Sequence, residues 1–462
     1  MVIKFKNIID SSCGLRFIFS KLDLSSPLSR HIMLDTKMYI TEDEIEKGYM
    51  ELKDVFTLFS KKGNFRSLKP RIKLKLSHLK DLRTTLSRLS DGIILDDIEL
   101  FEIKQLAIIN EEIRELTGQV YLNYLKLPDL SEVLNLLDPE KKRISSFHIY
   151  DNYSDDLKNA RDHLRVSGNP NPEMLNLISS IEDVVRKGLT ESLTNFSALL
   201  NSSLNILTKT DILIAKAELI DDLKLTIPEL STERTSYKGM FNPEVAEILK
   251  QNKREFQPVD ISFEAHQPLL ITGSNMGGKS VTLKTLALCQ YLFQFCFGVP
   301  SSEASVSVVD CISYSSGDGQ DYKKGLSSFS AELKRIDHIL KLSGSGNRVL
   351  ALVDEPAGTT NPREGTALAA GLIKVFEKKT LFSVVTTHYN LESINCKRLK
   401  VVGLVNGEMN YSLTPIIGGS VADEAIKIAE SLEIDRDWLN EAKLALDNKI
   451  YNTQRQKSNQ KY

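Results

Sequence analysis

The feature that most constrains the fold is an eight-residue segment that fits the pattern G-x-x-x-x-G-K-[ST]: Gly273-Ser274-Asn275-Met276-Gly277-Gly278-Lys279-Ser280. An apolar run, Leu269–Thr272, precedes it and predicts a buried strand, and helical spacing begins near Ser280. Backbone N–H groups of such a glycine-rich turn close around phosphate oxygens at the positive end of the following helix. The segment therefore predicts a strand, a phosphate-binding loop and a helix in succession.

The residues of this loop have distinct predicted roles in binding ATP together with Mg²⁺. Lys279 would reach the β- and γ-phosphates, and the Ser280 hydroxyl would bind the metal. The predicted nucleotide-binding residues of the loop are Gly273, Asn275, Met276, Gly277, Gly278, Lys279 and Ser280. Because a strand and a helix flank the loop, a chance match in a glycine-rich turn is disfavoured.

A pair of carboxylates follows a second apolar run, Val349–Val353, which also predicts a buried strand. Adjacent Asp354 and Glu355 at the end of a parallel strand would be costly without a cation. The Mg²⁺ of the phosphate loop supplies that cation. Asp354 is predicted to hold the metal through water, and Glu355 to polarise the water that attacks the γ-phosphate.

A third predicted strand, Leu381–Val385, leads into Thr386-Thr387-His388-Tyr389. A histidine at the end of this strand could sense the γ-phosphate through one hydrogen bond. His388 could instead cap the next helix. Beside the other two motifs, the role as a catalytic switch is favoured.

Small hydroxyl residues also open a predicted helix within Gly325–Leu333, between the phosphate loop and the carboxylates. Hydroxyl groups at a helix N-terminus make an anion site, although in isolation Ser327 and Ser328 would be an ordinary N-cap.

The pattern of apolar residues changes along the chain and predicts two domains. Residues 1–235 have helical spacing, for example in Glu42–Ser60, Leu76–Leu89 and Asp96–Leu116, and predict an all-α region. In residues 236–462, short apolar runs alternate with helical stretches, which is typical of an α/β domain with a parallel sheet.

Composition excludes few functions. The net charge of −2 does not require nucleic acid, so any such partner would need a local basic patch. No apolar run approaches the roughly 20 residues of a membrane span, and the first residues do not resemble a signal peptide. We therefore expect a cytoplasmic protein.

At these positions the sequence resembles the MutS family, whose ATPase belongs to the ABC class. TGSNMGGKS at 272–280, GLSSFSAEL at 325–333, DEPAGTTNPREG at 354–365 and TTHY at 386–389 carry the resemblance. The carboxylate segment, and GDGQ at 317–320, are closer to the second bacterial MutS type than to mismatch-repair MutS. The resemblance is specific over about 240–433 and weaker upstream, where two segments resemble the lever helices of MutS.

The resemblance implies further roles. Phe256 would stack on adenine, Gln320 would approach the metal, and Ser327 and Ser328 would complete the nucleotide site of a partner chain. That arrangement requires a dimer. Whether the partner is a second copy or a related chain stays open.

The client also stays open between DNA and a protein. Mismatch-reading features are missing: no Phe-x-Glu motif occurs, and the clamp region near 163–200 is short. Pro356 also departs from the family pattern beside Glu355. Eight Lys or Arg and no acid lie between Lys61 and Lys80, and this basic segment could contact DNA phosphates or be a solvated surface. The alternative is a protein remodeller, such as a reactivase of a cobalamin-dependent amino-acid mutase. The family resemblance slightly favours a dimer that uses ATP to grip mismatched or branched DNA.

Overall fold

The computed structural model describes residues 2–118, 122–143, 149–167, 172–273, 277–316, 328–379, 381–389, 391, 394, 396–405, 408–416, 438, 440 and 443. Contacts divide the chain into two compact units. The helical unit comprises Met1–Lys6, Lys21–Lys37 and Met50–Asp221, and the sheet unit comprises Asn7–Ser20, Met38–Tyr49 and Asp222–Tyr462. The sequence predicted a single boundary between residues 235 and 236, whereas two N-terminal segments fall within the sheet unit.

Aromatic contacts explain why residues 38–49 belong to the sheet unit. The ring of Tyr49 stacks on Phe293 with centroids 5.7 Å apart. Its hydroxyl donates hydrogen bonds to the carbonyls of Phe293 at 3.1 Å and Phe297 at 2.8 Å. The amide of Tyr39 donates to the carbonyl of Gln294 at 3.0 Å. These partners lie more than 240 residues away along the chain, so local periodicity could not indicate this packing.

The N-terminal part of the chain is helical, as predicted. Its α-helices are α1 (Phe5–Ile8), α2 (Leu15–Lys21), α3 (Pro27–Asp35), α4 (Glu42–Phe59), α5 (Lys69–Leu76), α6 (Arg83–Ser90), α7 (Asp97–Thr117), α8 (Ser131–Leu137), α9 (Asp155–Ser167), α10 (Pro172–Thr194) and α11 (Ser197–Leu223). Short 3₁₀ turns occupy Arg66–Leu68, Asn123–Leu125 and Asp151–Tyr153. Among the described residues, we find no helix with the length and apolarity needed to cross a bilayer.

The predicted helix Leu76–Leu89 is wrong, because the chain leaves the helical conformation between α5 and α6. The Asp81 carboxylate accepts a hydrogen bond from the amide of Arg83 at 3.3 Å, which offers the backbone an alternative to a continuous helix. Leu79 and Leu82 are nevertheless each only 1% exposed. Burial of the apolar face was therefore predicted correctly, although the backbone conformation was not.

A fully buried ion pair lies in the helical unit. Lys104 of α7 is 0% exposed and Asp138 is 4% exposed, and the Lys104 ammonium donates to Asp138 at 3.2 Å. The Tyr150 hydroxyl and the amide of Arg143 also donate to this carboxylate, each at 2.8 Å. Burial alone would raise the pKa of Asp138, but these three donors outweigh burial and hold its pKa below the ordinary value of 3.8.

The C-terminal part alternates strands and helices. Its strands are β1 (Glu229–Ser231), β2 (Arg234–Met240), β3 (Val259–Glu264), β4 (Leu269–Thr272), β5 (Glu303–Ser307), β6 (Cys311–Ser316), β7 (Val349–Asp354), β8 (Leu381–Thr387), β9 (Lys397–Val405) and β10 (Glu408–Pro415). Its helices are α12 (Pro243–Gln251), α13 (Lys279–Gln294), α14 (Ser328–Gly344) and α15 (Pro362–Glu377). The chain is thus a mixed helix and sheet protein, and the three strands predicted before the motifs are confirmed.

These strands form two mixed sheets. The larger has the order β10-β9-β4-β8-β7-β6, in which neighbouring strands from β9 to β6 run parallel and β10 is antiparallel. The smaller has the order β1-β5-β2-β3. All residues of β4, β7 and β8 are buried, as expected for central strands of a parallel sheet. The apolar runs of the sequence are therefore the centre of the larger sheet.

Candidate nucleotide site

The register of the larger sheet brings three predicted motifs together. Thr272 at the end of β4 pairs with Thr387 of β8, and Asp354 at the end of β7 pairs with Thr386 of β8. Because these strands are parallel, the segments that follow them leave the same edge of the sheet. Ligands of open α/β sheets bind at this carboxyl edge.

The predicted phosphate-binding loop has glycine with a positive φ at two described positions, Gly273 and Gly278. Gly273 has a φ of +144°, and a Cβ there would lie 3.0 Å from the Cβ of Val401. Gly278 has a φ of +73°, a conformation that favours glycine. Lys279 begins α13, is 3% exposed, and donates a hydrogen bond to the carbonyl of Gly273 at 2.8 Å. This hydrogen bond links the first residue of α13 to the residue that follows β4.

The other predicted nucleotide-binding residues of this loop are only partly within the described residues. Ser280 is exposed in the first turn of α13, and Gly277 is buried beside it. Asn275 and Met276 lie outside the described residues.

The two carboxylates have different environments. Asp354 is 7% exposed and accepts a hydrogen bond from the Thr386 hydroxyl at 2.5 Å. Glu355 has a φ of +48°, and its amide donates to the carbonyl and the hydroxyl of Thr386, each at 3.1 Å. Thr386 of β8 thus contacts the Asp354 carboxylate and the Glu355 amide, and it fixes the turn between the two acids.

Glu355 lies between Lys279 and His388, two side chains that can carry a positive charge. One carboxylate oxygen is 3.2 Å from the Lys279 ammonium, and the other is 3.6 Å from Nδ1 of His388. His388 follows β8 directly, and its side chain is 41% exposed. The predicted phosphate ligand, base and switch thus come together at one edge of the sheet.

The predicted adenine-stacking residue, Phe256, is half-buried and precedes β3. Its neighbour Gln257 donates to the side chain of Asn410 at 2.9 Å, and the amide of Tyr411 donates back to Gln257 at 2.9 Å. The ring of Tyr411 lies 3.2 Å from where a Cβ would stand at Gly278. The structure thus ties the Phe256 segment to a strand that contacts the loop. Sequence reasoning missed Tyr411, which follows no recognisable motif.

The residue predicted to approach the metal and the two signature serines lie wholly or partly outside the described residues. Gln320 and Ser327 lie outside the described residues. Ser328 is the first residue of α14, and its side chain is likewise outside the described part of the chain. Their predicted roles stay predictions.

Much of the basic segment Lys61–Lys80, the predicted DNA contact in the helical unit, is paired with acids. Lys69 and Lys73 lie 3.1 and 2.6 Å from Glu218, and Lys75 lies 3.0 Å from Glu112. Burial would lower the pKa of Lys73, but its hydrogen bonds to carboxylates outweigh burial and raise it. These three lysines are less available to phosphates than the sequence suggested.

Five cations of the basic segment are exposed: Lys61, Lys62, Arg66, Arg71 and Lys80. The Lys80 ammonium lies 5.9 Å from the centroid of the Phe101 ring. Within the described part of the chain, no acid forms an ion pair with Lys62, Arg66 or Arg71, so these three could reach DNA without first breaking an ion pair.

Comparison with known proteins agrees with the motifs. Residues 269–414 match the family MutS domain V. The chain is similar to Endonuclease MutS2 of Finegoldia magna, with 34% identity over 52% of this chain and 30% of the relative. Endonuclease MutS2 of Ligilactobacillus salivarius is 32% identical over 54% of this chain and 32% of the relative. That of Pediococcus pentosaceus is 30% identical over 58% of this chain and 34% of the relative.

The chain thus spans about a third of the length of these curated relatives. The matched domain begins at β4 and contains the phosphate loop, the carboxylates and His388. Residues 269–414 thus match MutS domain V, and the chain is similar over about half of its length to endonucleases named MutS2.

Proposed function

We propose that the chain is an ATPase that binds ATP with Mg²⁺, hydrolyses it to ADP and phosphate, and couples this cycle to gripping DNA as a dimer. The observation that supports it best is the convergence of Lys279, Glu355 and His388 at the carboxyl edge of the larger sheet. Glu355 lies 3.2 Å from the Lys279 ammonium and 3.6 Å from Nδ1 of His388, and a lysine, a carboxylate and a histidine are groups that can serve phosphoryl transfer to water.

The chain's own residues would divide the reaction between them. Lys279 would neutralise the β- and γ-phosphates, since its ammonium is held at the loop. Glu355 would accept a proton from the attacking water, and His388 would contact the γ-phosphate. Asp354 and Ser280 offer a carboxylate and a hydroxyl, which are hard oxygen donors that fit Mg²⁺. When bound, Mg²⁺ would neutralise charge that develops on the phosphate oxygens.

The proposed dimer rests on the resemblance of the signature segment to the MutS family. That resemblance implies that Ser327 and Ser328 would contact the nucleotide of the partner chain, so that each site would be formed by two chains. The N-terminus of α14 would then meet an anion, the arrangement that a helix dipole favours.

DNA is the client that the comparisons favour. The relatives carry the name of an endonuclease, an enzyme that acts on nucleic acid, and nothing in those names refers to protein remodelling. Mismatched and branched structures are the proposed DNA class.

The test compares the ATPase rate of the purified chain with and without branched or mismatched DNA at a stated salt concentration. Lys279→Ala should abolish nucleotide retention, because it removes the cation placed on the phosphates. Lys374→Ala is the matched control, since Lys374 is exposed on α15. Unchanged ATP affinity in Lys279→Ala would refute the phosphate loop. Stimulation only by a protein client would refute DNA as the ligand and favour remodelling.

A further inference from the structure

The turn that carries Glu355 is held in an unfavourable backbone conformation. Glu355 and Ala357 have φ values of +48° and +57°, in the left-handed region that residues with a Cβ rarely adopt. The amide of Gly358 donates back to the carbonyl of Glu355 at 3.0 Å, which closes the turn. Such a conformation persists only where surrounding groups fix it.

Two side chains from other elements fix Ala357. Its amide donates to Oε1 of Glu332 on α14 at 2.8 Å, and its carbonyl accepts from the Tyr389 hydroxyl at 2.8 Å. Ala357 and Glu332 are each 1% exposed, and Tyr389 is 6% exposed. Both backbone polar groups of one buried residue are therefore satisfied by side chains that lie far from it in sequence.

The surroundings leave little room for this turn to move. A Cβ added to Gly365 of α15 would lie 2.2 Å from the Tyr389 hydroxyl oxygen and 2.9 Å from the carbonyl of Ala357. The turn is thus enclosed by α14, α15 and the segment after β8.

Burying the Glu332 carboxylate costs desolvation free energy, although it accepts only one hydrogen bond among the described residues. Burial raises the pKa of Glu332, although the Ala357 amide and the charge of Arg335 oppose this shift. Its second carboxylate oxygen has no hydrogen-bond partner among the described residues. An apolar side chain would suit the space better if packing were the only requirement.

We propose that Glu332 is a positioning residue for ATP hydrolysis, which fixes Ala357 and thereby holds Glu355 in place between Lys279 and His388. This inference rests on the proposed ATPase function. Glu332 lies four residues after Ser328, one turn along α14, so the helix that begins at the signature also holds the turn of the base. A shift of this helix would therefore reach Glu355 through one hydrogen bond.

The experiment compares Glu332→Ala, Glu332→Gln and an exposed control on α15, Glu377→Ala. Glu332→Ala should lower kcat about tenfold or more, because a buried amide loses its acceptor and the base loses its position. ATP affinity, measured separately with a fluorescent nucleotide, should change by less than about twofold. Glu332→Gln keeps an acceptor oxygen, so it should retain most of the activity.

Amide hydrogen exchange of the peptide covering residues 355–361 provides a second measurement that does not need turnover. Glu332→Ala should speed this exchange, and Glu332→Gln and Glu377→Ala should not. Tyr389→Phe removes the other hydrogen bond to Ala357, and its effect on kcat should not add to that of Glu332→Ala.

Unchanged exchange in Glu332→Ala, or faster exchange with wild-type kcat, would overturn the positioning role. A loss of ATP affinity equal to the loss of kcat would also overturn it, because the residue would then support the binding site as a whole. If the wild-type chain neither binds nor hydrolyses ATP, the proposed function fails. Exchange at the turn would still decide whether Glu332 fixes Ala357.

Discussion

DNA binding through the basic segment can be tested on Lys62, Arg66 and Arg71, which are exposed and form no ion pair within the described part of the chain. The variant is Lys62→Gln, Arg66→Gln and Arg71→Gln in one chain, which removes three positive charges and preserves the ion pairs of α5. If each cation neutralises one phosphate, the slope of log Kobs against log salt should become shallower by about 0.9 per residue, or about 2.7 in total. Between about 50 and 200 mM salt, this amounts to a roughly 40-fold smaller loss of affinity.

The measurement is fluorescence anisotropy of a labelled branched duplex over a series of salt concentrations. The matched control is Lys53→Gln, Lys126→Gln and Lys158→Gln, three exposed lysines of the helical unit outside the basic segment. Both variants change the net charge by the same amount, so any difference between them reports position. Equal flattening in both variants, or an unchanged slope in the first, would refute the basic segment as the phosphate contact.

Three further predictions concern the site and the fold. Glu355→Gln should bind ATP but hydrolyse it about 100-fold or more slowly, because the general base is lost, and wild-type turnover in a single-turnover assay would assign the water to another group. Mixing Lys279→Ala chains with Ser327→Arg/Ser328→Arg chains should restore part of the ATPase rate, and no rescue in proven mixed dimers would indicate a site complete within one chain. Lys104→Met should lower the free energy of unfolding by about 3 kcal/mol at neutral pH, measured by urea denaturation, because it leaves a buried carboxylate without its cation. The pKa of Asp138 is lowered in the folded state, so its stabilising contribution is present above pH 3.8 and disappears as the pH falls through the folded-state pKa. The difference in the free energy of unfolding between the variant and the wild type should therefore shrink in that pH range. A difference that does not depend on pH would contradict the charge pairing.

The place where the candidate residues meet was predictable because each motif directly follows an apolar run. Leu269–Thr272, Val349–Asp354 and Leu381–Thr387 are buried along their whole length, and such short apolar runs are typical of the central strands of a parallel sheet. Parallel pairing then brings the residues after each strand to one edge. Local sequence is sufficient here because both the strand and its functional residue lie within a single segment.

Only the tertiary structure decided which cations of the basic segment are available to bind DNA. Lys73 and Glu218 are 145 residues apart, yet their side chains lie 2.6 Å from each other, so a run of cations that looked available for DNA is partly neutralised. Likewise, the local sequence around Glu332 predicts only a helical residue, whereas in the structure its carboxylate accepts a hydrogen bond from the Ala357 amide, 25 residues away. The sequence by itself determined the three central strands and the candidate residues that follow them, since these depend on neighbours along the chain. Hydrogen bonds and ion pairs between distant segments depend on the path of the backbone in space, which no local pattern contains.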